Sequence, residues 1–538
     1  MESHPAAPAN PLVFALKAFG LLLFSALVAY VSDYKLNLGV AAAIILGLSI
    51  FGVGLFAMIR LAGSPREMGF TFGLKFLSVT AYKILNFSVS MWLIRDLGYD
   101  EKSAGFIIVV WGLFMTVATI VSGSLTDVLG LRKTLLAGVT ICVLTRIVMA
   151  LGPNPHVALL LGLIPLAIGE ALCTPVLVAA LRLYSKPSQR TVAFSLFYGL
   201  MNFGFMFGYF ISDGIIGRMT DGKTMTLPGI EDPVSAYGVL ILVSMLIDVL
   251  MFPLISLLRP GVQMTESGFV PLPTHEHRFP DGMGTGARIM ATVSHAAMDT
   301  LGMLGKLFRS PGFSKLVIFL LMIGLLKIVF NLMDYVLTPF TEREIGDDAV
   351  SKVGRLNATN SIMILVLAPL VGMATRRYAS YTMVILGGFI TASAFAFMAL
   401  PSSWFEGMAN GWLGRAVGNG YLGIIGEVHP YFIMIFLWQV VFSVGEAFYS
   451  PRVYEYAASI APPGQEASYS SLSYIPLLIG KVATGLSFGG LLDRYCPAEG
   501  PRQPGMMWLI IGLMVLVAPV GLLFLKRFIR VREEGREG

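Results

Sequence analysis

The sequence predicts an all-α membrane protein with two six-helix bundles, twelve core spans in all. An extra N-terminal hairpin brings the total to fourteen. Three observations predict this. First, the 538-residue chain is 56% hydrophobic and only 13% charged, with a mean hydropathy of +0.76; a soluble domain carries about 25% charged residues. Second, apolar runs of the roughly 20 residues that cross a bilayer recur along most of its length. Third, one stretch is duplicated without a gap. Gly169-Glu170-Ala171 matches Gly445-Glu446-Ala447, and downstream Pro175 pairs with Pro451, Gln189 with Gln465, Tyr198 with Tyr474 and Gly204 with Gly480. Two repeats meeting in a membrane, each with an acid at depth, is how secondary transporters are built.

Residues 1–66 form a tail and the extra hairpin, with spans at 12–32 and 38–61 turned at Ser32-Asp33-Tyr34-Lys35. The first bundle, 67–257, has spans at 70–94, 104–124, 134–151, 157–182, 191–217 and 235–257. The second bundle, 313–530, has spans at 313–340, 353–375, 382–400, 430–458, 467–491 and 505–526, followed by a tail over 531–538. The linker 258–312 begins Pro/Gly-rich. It then sets Ile289, Val293, Ala296, Thr300 and Leu304 on one stripe, which predicts an amphipathic helix over 286–310 on the membrane face. Gly123 matches Gly372 at a shorter offset than the later pairs, so the second half has gained residues. The Gly-rich stretch 401–429, with Trp404 and Trp412, accounts for them as a lid, an interfacial anchor or a passive loop. Bases concentrate on one side, among them Arg60, Arg132, Lys133, Arg182, Arg190, Lys526 and Arg527. That asymmetry puts both termini in the cytoplasm and 401–429 outside. The compact loops point to a bacterial inner membrane.

The net charge of +6 follows from these loop bases and needs no nucleic-acid partner. Three scattered cysteines form no CxxC pair, so neither a disulfide framework nor a zinc site is expected. The N-terminus lacks a basic n-region and reads as uncleaved. With no P-loop, no HExxH and no nucleophile triad, neither a cofactor, a metal site nor an enzyme is expected.

A charge at the bilayer centre costs roughly 2.5–3.5 kcal/mol on insertion scales, so such residues face the bundle interior and find partners. Lys327, Asn331 and Asp334 fall at i, i+4 and i+7 on the seventh core helix and form one stripe. Lys83 and Lys481 sit mid-span on core helices one and eleven, and Arg452 lies one turn before Glu455 on helix ten. The functional reading is a cavity lined by Lys83, Lys327, Asp334, Glu455 and Lys481; the competing one is static interhelical pairing, favoured for Arg146 and Asp248. Glu170 and Glu446 are repeat-related. Their symmetry favours a shared structural task, such as accepting a hydrogen bond, over proton coupling.

The loop Gly123-Ser-Leu-Thr-Asp127-Val-Leu-Gly130-Leu-Arg132-Lys133 resembles the signature of the major facilitator superfamily, where its role is conformational gating. Phe197-Tyr198-Gly-Leu-Met-Asn202-Phe-Gly204, and Gly445-Glu446-Ala-Phe-Tyr-Ser450 followed by Glu455-Tyr456-Ala457 and Ala461-Pro462, resemble the proton-dependent oligopeptide transporters. That resemblance implies that Glu455 lines the cavity and helps hold a substrate amino group. The chain departs from the branch at two places. The first core helix carries Lys75, Tyr82 and Lys83 and no acid, and Thr174 rather than a lysine precedes Pro175.

The expected function is alternating-access transport of a small polar solute, di- or tripeptide-like, by a monomer coupled to protons. Protonation of Glu455 or Asp334 would break a pair with Arg452, Lys327 or Lys481. Two rivals are a proton-antiporting exporter of drugs or metabolites, and a transport-inactive membrane scaffold whose hairpin and insertion bind a partner.

Overall fold

The computed structural model describes residues 11–34, 61–152, 154–186, 189–219, 224–226, 233–271, 313–375, 378–459 and 475–529, with scattered positions over 44–59 and 287–305. A first helix, Pro11–Tyr34, precedes the core. The second hairpin span and the expected amphipathic helix over 286–310 lie, apart from isolated positions, outside the described residues.

Twelve core helices follow in order. The first-half helices are Arg66–Met91 (continued by a π turn to Asp96), Glu101–Leu129, Leu131–Leu151, Ile164–Tyr184, Arg190–Ile216 and Ala236–Val249 with its continuation Met251–Ser256. The second-half helices are Phe313–Tyr335 (continued by Leu337–Glu344), Asp347–Ala374, Ser380–Ala394 (continued by Ala396–Ala399), Pro430–Ser459, Ile475–Tyr495 and Pro504–Phe524. Among the described residues eleven helices are long and apolar enough to cross a membrane, and the chain is a multi-pass integral membrane protein. Helices four, ten and twelve, or their lead-in turns, begin at Pro155, Pro430 and Pro504, where a missing N–H costs nothing. The link between helices two and three is the single residue Gly130, at φ +80°. Only glycine holds that backbone without strain.

The molecule has two ends. The linker end carries residues 258–271 and the insertion end carries 401–429. At the linker end the chain forms an antiparallel hairpin, Val262–Thr265 against Gly268–Pro271, that the sequence did not announce. It is fastened by Arg259, whose Nε lies 2.8 Å from Glu67 Oε1 and whose carbonyl accepts from the Tyr184 hydroxyl at 2.7 Å. At the insertion end, 401–429 is a folded cap rather than a passive loop. Short helical turns bury Phe405, Ala409, Val417, Leu422 and Val428. Arg355 Nη1 donates to the Leu422 carbonyl, and the Tyr421 hydroxyl donates to the Arg355 carbonyl. Trp404 and Trp412 stay exposed, as an aromatic belt requires.

All three cysteines are free and buried. Burial pushes the Cys496 thiol, just past helix eleven, up to about 12, so it carries almost no thiolate at neutral pH. Maleimide is therefore expected to label the native protein poorly and the SDS-denatured protein fully; rapid native labelling would contradict the packing.

Candidate functional site

The two halves meet along core helices one and seven, two and eleven, and five and eight. Glycines bring the backbones together. On helix five, Gly204 and Gly208 lie so close to helix one that an added Cβ would meet Val79 at the first and Lys83 at the second. On helix two, a Cβ at Gly105 would strike the Gly485 carbonyl of helix eleven.

These approaches build a buried polar knot. Lys83 Nζ lies 2.9 Å from Asp334 Oδ2 and 3.2 Å from Oδ1. Asp334 also accepts from Asn86 Nδ2 at 2.5 Å and from the Tyr209 hydroxyl at 2.7 Å. The Tyr335 hydroxyl donates to Asn86 Oδ1 at 2.5 Å. Lys83, Asn86 and Tyr209 belong to the first half, Asp334 and Tyr335 to the second, and all are buried. Three donors, one of them cationic, suit a carboxylate that only accepts.

Toward the insertion end the halves are joined again. Arg95 pairs with Glu342 and, at 2.9 Å, with Asp347. Arg343 pairs with Glu101. Asp213 accepts from the backbone N–H groups of Gly354 and Arg355 at 2.7 and 2.6 Å. Every described ion pair between the halves thus lies at the knot or beyond it toward the insertion end. Burial pushes the nearby Glu344 carboxyl up, against the opposing pull of Arg502. Gly485→Leu is expected to hold this end open; cysteine cross-linking between positions 102 and 489 should fall sharply relative to the same pair without the leucine, and an unchanged yield would contradict the glycine contact.

The stripe Lys327–Asn331–Asp334 does face the interface, but its pairing corrects the expectation. Asp334 binds Lys83 rather than Lys327 or Lys481, because helix one stands opposite the last turn of helix seven. Lys327 Nζ donates to Ser450 Oγ at 3.1 Å. Asn331 Nδ2 reaches back to the Lys327 carbonyl at 3.4 Å. Lys481 Nζ donates to the Tyr82 hydroxyl at 3.3 Å. Asn202 Nδ2 donates to its own helix at the Tyr198 carbonyl. Arg452 Nη2 meets Thr375 Oγ1 at 3.0 Å, at the end of helix eight. Glu455 lies on helix ten, and its side chain is outside the described residues, as are the side chain of Asp127 and the surroundings of Gly123. Arg132 and Lys133 open helix three beside Gly130, half-buried and exposed respectively.

The repeat-related acids each accept from a neighbouring helix. Glu170 Oε1 is 2.6 Å from Arg146 Nη2, and Arg146, fully buried, also pairs with Asp248. Glu446 Oε2 accepts from Asn360 Nδ2 at 2.8 Å. Arg146–Glu170–Asp248 lies wholly within the first half and ties helices three, four and six.

Sequence reasoning missed Asn86, Tyr209, Asp213 and Asn360. A signal existed for three of them. Asn86 follows Lys83 by one turn, and Tyr209 and Asp213 continue the helix-five stripe from Asn202 at i+7 and i+11.

A family profile described as Major Facilitator Superfamily matches residues 71–412. No curated protein matches the chain. Among solved structures, it is similar to a POT family transporter in complex with a thioalcohol-conjugated peptide: 16% identity, TM-score 0.62, covering 87% of this chain and 98% of that one. It is similar to a peptide transporter POT in complex with sulfate, at 17% identity and TM-score 0.59 over 87% of this chain and 96% of that one. The nucleoside transporter NupG, at 13% identity and TM-score 0.59, covers 85% of this chain and 99% of its own. At these identities the likeness is one of fold.

Proposed function

The chain belongs to the major facilitator superfamily, and from that premise we propose that it is a proton-coupled secondary transporter of a small polar solute. It works by alternating access between its halves. One observation carries this reading: a buried ion pair, Lys83–Asp334, joins the two halves, with the other inter-half ion pairs beyond it on one side. The basic loops orient the linker end to the cytoplasm. The insertion end is then external, and these contacts hold the outer gate shut.

Protonation of Asp334 removes the charge that holds Lys83 and loosens the gate. The groups around it are Lys83, Asn86 and Tyr209 of the first half and Tyr335 beside it. An external proton therefore favours the outward-open state, which is the order a symporter needs. Glu455 is the second coupling candidate, on its sequence motif. Similar folds have been crystallised with a thioalcohol-conjugated peptide and with 5-aminolevulinic acid, so a mixture of di- and tripeptides is a reasonable first solute.

The test is uptake of that mixture into proteoliposomes under an inward proton gradient. Wild type is expected to accumulate solute; Asp334→Asn and Glu455→Gln are expected to exchange it without accumulation. Unchanged accumulation in both variants overturns the coupling assignment. Transport only under an opposed gradient would favour an exporter. A stoichiometric co-purifying partner, with no transport of any solute tried, would favour a scaffold.

A further inference from the structure

Three buried lysines have no salt-bridge partner among the described residues. Lys75, Lys327 and Lys481 are only 4%, 7% and 6% exposed. Their ammonium groups meet neutral partners. Lys75 lies over the Phe197 ring at 4.9 Å. Lys327 meets Ser450 Oγ at 3.1 Å and the Phe330 ring at 4.5 Å. Lys481 meets the Tyr82 hydroxyl at 3.3 Å and the Trp111 ring at 4.3 Å. Among the described residues none of the three has a carboxylate oxygen within 4 Å. The nearest acids make their short contacts elsewhere: Asp334 with Lys83, Glu170 and Asp248 with Arg146, and Glu446 with the neutral Asn360 amide. Glu170 and Glu446 act on the three lysines only through space.

One chain of contacts links the three cations. Lys75 and Tyr82 are seven residues apart on helix one and so lie on one face. Next to Phe197, which Lys75 covers, the Tyr198 hydroxyl reaches Ser450 Oγ at 3.5 Å. Ser450 holds Lys327, and a Cβ on Gly480 would sit 3.0 Å from the Lys327 backbone. The residue after Gly480 is Lys481, which returns to Tyr82. The contacts therefore run from helix one through helices five, ten, seven and eleven and back to helix one. They lie between the halves, on the linker side of the Lys83–Asp334 knot.

Rings and hydroxyls orient an ammonium group but do not neutralise it, and unpaired buried charge is unfavourable. We infer that the solute is a small dianion, a dicarboxylate or a phosphate monoester, whose acidic oxygens complete the Lys75–Lys327–Lys481 ring. This rests on the transporter reading and narrows its solute. The dianion supplies the missing counter-charge and binds at the interface that must rearrange, so loading and gating act on the same helices.

The test uses the full chain in proteoliposomes with four probes: succinate, glycerol 3-phosphate, dialanine as zwitterion and uridine as neutral solute. Saturable counterflow of succinate or glycerol 3-phosphate is expected, with one or the other identifying the acid group. Lys327→Gln and Lys481→Gln should each raise KM roughly tenfold, the loss of one charge-assisted hydrogen bond, and Lys→Arg should recover part of it. The dianion should also raise the thermal midpoint of wild type and not of the Gln variants. Saturable transport of dialanine or uridine with both dianions inert overturns the inference and leaves the transporter reading intact. Inertness of all four probes, with no thermal shift, overturns the inference and counts against the transporter reading as well.

Discussion

Arg146→Met is expected to cost the fold about 3–5 kcal/mol, the usual effect of removing one partner from a buried ion pair. The guanidinium is fully buried and is the only described cation within 4 Å of Glu170 and Asp248. Removing it strands two carboxylates among helices three, four and six. Against a total stability of about 5–15 kcal/mol this is severe. Low yield and a lower thermal midpoint in detergent are the expected readouts. Replacing the whole cluster, as Arg146→Met with Glu170→Gln and Asp248→Leu, should recover much of the loss, because apolar substitution of a complete buried network is often neutral. A transport-competent cluster variant would establish that Glu170 has a structural task. A well-folded Arg146→Met single variant would contradict the assignment.

Asp334→Asn is expected to have the opposite balance: a folded protein that no longer couples. Asparagine keeps one accepting oxygen, for Asn86 or for Tyr209, but it leaves Lys83 without its counter-charge. The cost falls on the conformation in which the pair is made, so the equilibrium shifts toward the open insertion end. If breaking the pair costs the closed state even about 1.4 kcal/mol, the populations shift tenfold. Lys83→Met should shift them the same way and be more damaging, because it leaves Asp334 buried and unpaired. Accumulation by Asp334→Asn at the wild-type level would contradict this.

Much of the architecture was legible from hydropathy. The first core helix was expected at 70–94 and spans Arg66 to Asp96; the tenth was expected at 430–458 and spans Pro430–Ser459. The eighth begins earlier than expected, at Asp347 instead of 353. Its first turns carry Asp347, Asp348, Ser351 and Lys352, which end an apolar run but suit the positive end of a helix dipole. The cap at 401–429 was located by the broken repeat offset, but its folded form was not. Its side chains gain partners from helix eight, the end of helix nine and the start of helix ten.

The site was legible in part. Periodicity put Lys327, Asn331 and Asp334 on one inward stripe, and the structure agrees. It could not say which helix faces that stripe, so the partner of Asp334 was assigned to Lys327 or Lys481 when it is Lys83, 251 positions away. The same gap hid the joining of Arg146 to both Glu170 and Asp248. Each charge could be seen as costly in a membrane; the pairing belongs to the tertiary fold.

The central claim is that the Lys83–Asp334 pair latches the insertion end shut and that a proton releases it. The most direct measurement is the distance between spin labels at positions 100 and 348, exposed on opposite halves of that end, in a cysteine-free background at acidic and alkaline pH. A short distance at alkaline pH, a longer one at acidic pH, and a long one at both for Asp334→Asn is the predicted result. One unchanged distribution in the wild type and the variant at both pH values would contradict the latch.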